Sequence, residues 1–290
     1  MSSTAESFLV GLIGSGVTAT LSAPLHEIEA DRQGLRYIYR PIDLDVIDRQ
    51  GADVGELLRN ARDLGFNAFN VTHPCKQLVL EHLDEISDDA RQLGAVNTVL
   101  IRDGRFVGFN TDFSGFSSGL ASGLPDAELG TVVQLGAGGA GSAVAYALLH
   151  RGVTTLRVSD VDRERAGERV DALRALFPDR TVEAITASEL PAALRDADGL
   201  VNATPVGMHR HPGLPLDEDL LEARLWVADV VYRPIDTALI LAARAAGCRV
   251  LDGGHMAVGQ AVDAFELITG RRADAPRMRA HFLAMIASGR

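Results

Sequence analysis

The sequence predicts an α/β protein of two domains. The first is an N-terminal α/β domain, the second a doubly wound parallel sheet, and C-terminal helices return to the first domain. Three observations carry this. Strand-like and helix-like segments alternate along the chain, which is the pattern of parallel sheets covered by helices. A run of glycines, Gly136 to Gly141, lies directly between an apolar strand and a helix. The final segments, 257–269 and 278–286, are helical in pattern but have no partner strand. The 290 residues suffice for two ordinary domains, and we expect boundaries at 1–112, 113–252 and 253–290.

Each element has its local reason. Residues 8–13 read as an apolar strand closed by Gly14. A helix is expected over 23–34. Large apolar residues alternate with polar ones over 35–42, the period of a strand. Apolar residues at helical spacing over 54–64 end at Gly65, a normal C-terminal stop. A strand over 66–71 runs into Thr72-His73-Pro74, and an amphipathic helix is expected over 77–86. Strands over 96–101 and 105–109 flank Asp103-Gly104, a strong hairpin signal. A small-residue stretch over 114–123 leads to a short apolar strand over 131–135. Helices are expected over 139–150, 163–176, near Leu190 and over 237–246. Strands are expected over 155–159, 182–185, 199–203, 226–231 and 248–251.

Composition bounds the function. The chain is 47% hydrophobic and 23% charged, so it builds real cores. A formal net charge of -11 argues against nucleic acid or an anionic membrane as partner. A small-molecule substrate is expected, with the chain a monomer or a homodimer. Cys75 and Cys248 stand far apart, in no Cys-x-x-Cys and with no metal-ligand spacing. Neither a disulfide framework nor a metal site is expected. The apolar start is too short to span a membrane and lacks the flanks of a secretory signal, so the expected location is the cytoplasm.

The glycine run gives the first chemistry. Gly136 permits a tight turn, Gly138 and Gly139 let backbone approach a pyrophosphate, and Ala140 and Gly141 let the helix sit close to the sheet. The helix N-terminus offers amide groups and partial positive charge to phosphate. No Lys-Ser/Thr follows, so this is not a nucleoside-triphosphate loop. It is the loop of a Rossmann-type domain. Asp160 lies 24 residues past Gly136, near the roughly 20 expected for the carboxylate that binds the adenosine ribose. Such a group repels a 2′-phosphate and points to NAD. Arg163 is the competing signal, because an arginine just past this strand pairs a 2′-phosphate; with it, NADP is the alternative. Asp160 holds the strand-end position itself.

Three polar strings stand at strand ends of the first domain. They are Asn70-Val71-Thr72-His73-Pro74-Cys75-Lys76, Gly94-Ala95-Val96-Asn97-Thr98 and Gly108-Phe109-Asn110-Thr111-Asp112. They resemble the shikimate/quinate dehydrogenase family. The resemblance continues through the glycine loop, Asn202-Ala203-Thr204-Pro205-Val206-Gly207-Met208, Asp229-Val230-Val231-Tyr232-Arg233-Pro234, and Met256 to Gln260.

It implies a two-domain enzyme that oxidises a ring hydroxyl of a cyclic polyol acid with a nicotinamide cofactor. It implies Lys76 as acid/base with Asp112 as partner. A lysine serves as a base near neutral pH only when burial or neighbouring cations lower its pKa, and a carboxylate works against that. Asp112 is therefore read as orienting Lys76 and binding a substrate hydroxyl; which of the two moves the proton stays open.

Thr20 and Ser22 match the family's carboxylate-binding hydroxyls, followed by His26. Ala23, Pro24 and Glu27 depart from the usual pattern there. Thr72, Asn97, Tyr232 and Gln260 match positions that bind ring hydroxyls. Thr204, Val230 and Gly253 match cofactor positions. The string Ser159-Asp160-Val161-Asp162-Arg163 resembles the NAD-dependent catabolic quinate/shikimate subgroup, as do Thr20 and Glu27. His255 replaces a small glycine and is read as a packed, neutral histidine. The rivals are an NADP-dependent biosynthetic shikimate dehydrogenase, a non-catalytic NAD-binding sensor, and another two-domain dehydrogenase such as one acting on folates.

Overall fold

The computed structural model describes residues 7–289. The chain divides into two compact units, one ending at Thr111 and resuming at Gln260, the other covering Asp112–Gly259.

The first unit holds β1 (Ser7–Gly14), α1 (Ser22–Arg32), β2 (Arg36–Asp43), α2 (Val54–Asp63), β3 (Ala68–Val71), α3 (Cys75–Leu78), β4 (Glu85–Ile86), α4 (Asp88–Leu93), β5 (Thr98–Arg102) and β6 (Arg105–Phe109). Their sheet runs β2-β1-β3-β5-β6-β4. It is mixed rather than wholly parallel. β1 pairs parallel with β2 and β3, while β5 runs antiparallel to both β3 and β6. The reversal sits at Asp103 and Gly104, whose φ values of 51° and 75° make the two-residue turn that matches strand twist.

The helix expected over 77–86 does not form. After α3 the chain makes a 3-10 turn, Val79–His82, and enters β4. Asp84 explains the break. Its amide donates to the Phe106 carbonyl at 2.9 Å, and its carboxylate accepts from the Phe106 amide at 2.7 Å. Sheet pairing overrides a helical apolar spacing here. The unexpected α4 has ordinary signals, a Ser87 cap and Gly94 at φ 64°.

Two cores cover the sheet's faces. One gathers Ile13, Leu58, Phe69, Val71 and Val99. The other gathers Val10, Leu12, Tyr37, Tyr39 and Phe265. Phe265 comes from α10 (Gly254–Thr269), which α11 (Ala275–Ala287) follows. Arg277 of α11 pairs bidentately with Glu29 of α1 at 2.7 and 2.9 Å, and the Glu29 side chain is fully buried.

The second unit contains α5 (Thr111–Gly123, from its second residue), β7 (Thr131–Leu135), α6 (Gly139–His150), β8 (Thr155–Ser159), α7 (Arg163–Leu176), β9 (Thr181–Ile185), α8 (Leu190–Leu194), β10 (Gly199–Asn202), β11 (Trp226–Asp229), α9 (Ala238–Ala245) and β12 (Arg249–Leu251). Its sheet order is β12-β11-β10-β7-β8-β9, parallel at every pair. The order reverses between β7 and β10, so this unit's ligand crevice falls outside their carboxyl ends. Residues 141–149 of α6 are all buried, which its small side chains permit. The first six residues of α10 also belong to this unit, so the return to the first unit comes seven residues after Gly253.

Among the described residues, both cysteines are free and buried, no cluster suits a metal ion, and no helix is long and apolar enough to cross a membrane.

Candidate active site

In the first unit, one sheet edge collects the motif residues. The carboxyl ends of β1, β3 and β6 and the amino end of antiparallel β5 lie together there. The Thr72 amide donates to the Ile13 carbonyl at 2.9 Å, and the Val71 amide to the Asn97 carbonyl at 2.7 Å. Half-buried Lys76 sits on α3, and its carbonyl accepts the Val96 amide at 2.9 Å, which fixes its backbone beside Asn97. A side chain at Gly14 would meet Thr72 Cγ2 at 2.3 Å, so the glycine lets these strand ends close up.

Asn97 is buried and holds the edge together. Its Oδ1 accepts the Thr111 amide at 2.7 Å and the Thr98 hydroxyl at 3.1 Å. Its Nδ2 donates to Thr111 Oγ1 at 3.0 Å. Thr111 is thereby anchored one residue before Asp112. Asn110 Nδ2 donates to the Ala95 carbonyl at 2.9 Å.

The loop after β1 carries the hydroxyl pair. Thr20 Oγ1 accepts the Ser22 amide at 3.1 Å, which leaves its proton to give. Both residues stand at the start of α1, where amide groups and the helix dipole favour an anion. Sequence reasoning missed the residue that shapes this loop. Asp43, at the end of β2, accepts from the Gly16 and Thr18 amides at 2.9 Å and from the Thr18 hydroxyl at 2.6 Å. Its pKa lies below the ordinary value, held down first by the Thr18 hydroxyl. Glu27, the departure from the family pattern, accepts the Tyr39 amide at 2.8 Å and so braces β2. His26 is buried against Tyr37, Tyr39 and Phe265. Burial lowers its pKa to about 3, so the ring is neutral. Gln260 also belongs to the first unit, whereas Tyr232 belongs to the second and is 41% exposed.

In the second unit the glycine loop has the shape a dinucleotide pyrophosphate needs. Gly136 has φ 95°, and a side chain there would strike the Ala203 carbonyl at 2.7 Å. One at Gly141 would strike the Gly136 carbonyl at 2.2 Å. At Gly138 and Gly139 an added Cβ meets nothing within 4 Å, and no side chain caps α6. The start of α6 is therefore uncapped by any side chain and bordered by open space at both glycines, with Ala140 exposed beside them. The residues present fit the group. Gln134 braces the loop, donating to the Gly136 and Gly141 carbonyls at 2.8 Å each. The 131–135 strand is thus not wholly apolar, and this buried amide was the overlooked signal.

Asp160 accepts the Ala137 amide at 2.6 Å and the Asp162 amide at 2.9 Å. The nearby cation is Arg165, whose Nη2 lies 2.5 Å from Asp160 Oδ1. Arg163 instead lends its charge to Glu189. Burial pushes the Asp160 pKa up, but Arg165 and the two amides outweigh it and leave the pKa below the ordinary value.

A buried brace holds the ends of β10 and β11. Asp229 accepts from Asn202 Nδ2 at 2.9 Å, the Val231 amide at 2.9 Å and the Thr237 hydroxyl at 2.7 Å. Asn202 Oδ1 in turn accepts the Thr204 hydroxyl at 2.6 Å. Burial raises the Asp229 pKa to about 6. Val230 is half-buried beside it. Gly253 packs so closely that a Cβ would lie 2.3 Å from the Val231 carbonyl. His255 is half-buried over Gly119 and Gly123, and its Nδ1 lies 3.3 Å from the Asp252 carbonyl.

Comparison with known proteins agrees with this architecture. Residues 12–99 match the shikimate dehydrogenase substrate-binding domain. A shikimate dehydrogenase (NADP(+)) of Pseudarthrobacter chlorophenolicus is 65% identical over 288 residues, covering 99% of this chain and 98% of its own. A quinate/shikimate dehydrogenase (NAD(+)) of Corynebacterium efficiens is 50% identical over 281 residues, covering 97% and 99%. The structure of quinate dehydrogenase from Corynebacterium glutamicum in complex with NAD superposes with a TM-score of 0.92 at 49% identity, covering 96% of this chain and 99% of that one. The chain belongs to the shikimate/quinate dehydrogenase family of oxidoreductases.

Proposed function

We propose that the protein is an NAD-dependent quinate/shikimate dehydrogenase that interconverts a ring hydroxyl and a ketone, giving 3-dehydroquinate or 3-dehydroshikimate. The observation that carries the cofactor reading is Asp160, a carboxylate at the end of β8 bonded to the glycine-loop amide of Ala137. It supports NAD because a carboxylate at that strand end hydrogen-bonds the adenosine ribose and disfavours a 2′-phosphate. Gly136, Gly138, Gly139, Ala140, Thr204, Val230 and Gly253 are read as the remaining cofactor contacts.

The chemistry the dinucleotide supplies is acceptance of hydride from the carbinol carbon. The chain supplies the rest. Lys76 takes the hydroxyl proton, and Asp112 orients it and a substrate hydroxyl. Thr20 and Ser22 bind the carboxylate as neutral donors at the start of α1. Thr72, Asn97, Tyr232 and Gln260 bind ring hydroxyls and fix which one faces the base.

A second reading, an NADP-dependent shikimate dehydrogenase, has its own support. Arg165 places a cation on Asp160, and a 65% identical relative carries the NADP name. Initial rates with quinate and shikimate, each with NAD and NADP, decide the matter. Strong oxidation of both acids with NAD is the expected result. Activity on shikimate with NADP alone would replace the first reading by the second, and inactivity in all four pairs would overturn both.

A further inference from the structure

Gln134 interrupts the apolar run of β7. Val132, Val133 and Leu135 are buried beside it, and Gln134 itself is 0% exposed. Burying an amide is unfavourable unless its polar atoms are paired. Its Nε2 commits both protons, one to the Gly136 carbonyl and one to the Gly141 carbonyl, at 2.8 Å each. Its Oε1 has no hydrogen-bond partner among the described residues. The chain therefore uses the donor half of this side chain, and uses it on the glycine loop.

The Gly136 carbonyl leads further. The peptide joining Gly136 to Ala137 is trans, so its carbonyl and its amide point in opposite directions. On one side the carbonyl accepts from Gln134. On the other the Ala137 amide donates to Asp160 Oδ2 at 2.6 Å. Gly136, at φ 95°, has no side chain to restrict rotation of this peptide, so the two bonds hold its orientation. The other bonds described for Asp160 come from Asp162 and Arg165, within its own segment. The Ala137 bond is what ties the carboxylate to the loop.

We propose that Gln134 is a positioning residue for cofactor selection. Through the Gly136–Ala137 peptide it fixes where the Asp160 carboxylate stands relative to the loop, and so strengthens the preference for an adenosine ribose without a 2′-phosphate. This rests on the ribose reading of Asp160 given above. Without the Gln134 donors the peptide is free to turn, the Ala137 amide leaves Asp160, and the carboxylate loses its fixed position. NAD and NADP share the pyrophosphate, so an effect confined to the loop falls on both alike. An effect that passes through Asp160 falls on NAD.

The test is a double-mutant cycle with Gln134→Met, which keeps the volume, and Asp160→Ala. NAD and NADP affinities are read by calorimetry, and KM for quinate and shikimate and kcat by initial rates. Gln134→Met is expected to weaken NAD about tenfold and NADP less than about twofold, so that the ratio of the two affinities falls about fivefold. The KM of the acids, and kcat at saturating NAD, should stay within about twofold. In the Asp160→Ala background the same change should move the ratio less than about twofold, because its route is already cut. A further fall of about fivefold in that background would overturn the inference. So would an equal loss for both nucleotides, the mark of a loop brace alone, or an acid KM raised as much as that for NAD. Should Gln134→Met not fold, Gln134→Glu, which keeps the length and donates to one carbonyl when protonated, carries the same cycle with the same outcomes. Wild-type preference for NADP would overturn the ribose reading and the inference together; preference for NAD with additive changes would overturn the inference alone.

Discussion

The two units make their sites from opposite materials. The first unit's edge is built of side chains whose polar atoms are already paired inside, as at Asn97 with Thr98 and Thr111. The second unit's loop is built of backbone and empty space, where Gly138 and Gly139 offer no side chain at all. One site is damaged by taking atoms away, the other by adding them. The reason lies in the ligands each is read to hold. A ring with several hydroxyls and a carboxylate needs donors and acceptors at set positions, while a pyrophosphate needs close approach of amide groups.

Four experiments sharpen or break this contrast. Lys76→Ala is expected to have the largest effect, lowering turnover by about a thousandfold while nucleotide affinity stays within about twofold; a large loss of nucleotide binding would place Lys76 in the wrong site. Asn97→Ala comes next. It strips partners from the Thr111 amide and the Thr98 hydroxyl, so chemical denaturation should show a loss of about 3 kcal/mol with a raised substrate KM. A stability change near zero would show that the edge is not braced by this amide.

The addition of atoms is tested by Gly138→Val against Gly141→Val. The first should fold with an unaltered melting temperature yet bind nucleotide at least about tenfold more weakly, because its side chain enters open space. The second should melt earlier, since its Cβ would lie 2.2 Å from the Gly136 carbonyl. Equal melting temperatures would break the distinction between loop shape and loop access.

The smallest effect concerns Asp229. Its pKa of about 6 exceeds the ordinary 3.8, so the folded state holds the proton more tightly than the unfolded chain. That contribution is fully present below pH 3.8 and is lost as pH rises through about 6. The linked free energy is roughly 3 kcal/mol. In thermal melts, Asp229→Asn should therefore gain on the wild type by about 5 °C between pH 4 and 7. A gap that stays constant with pH would mean that Asp229 is ordinary in the fold.

Much of the fold was legible because its signals are local. The Asp103-Gly104 turn, the glycine loop and the position of the strand before it read correctly from a few adjacent residues. The segment 77–86 did not, because apolar spacing that suits a helix was claimed by pairing of Asp84 with Phe106, a partner 22 residues away. Gln134, Asp43 and Arg165 escaped for a related reason. Each is unremarkable in its own stretch of sequence and gains meaning only from the atoms that folding brings to it.

The sequence by itself determined the family, the two kinds of sheet-edge motif and the residue types available for proton transfer and phosphate binding. Those follow from spacing and from what each side chain can donate or accept. Only the tertiary structure decided that Arg165 rather than Arg163 faces Asp160, that Asn97 is committed to Thr98 and Thr111, and that Asp229 is buried deeply enough to raise its pKa to about 6. Hydrogen-bond direction and desolvation depend on three-dimensional neighbours, and a linear order of residues does not contain them.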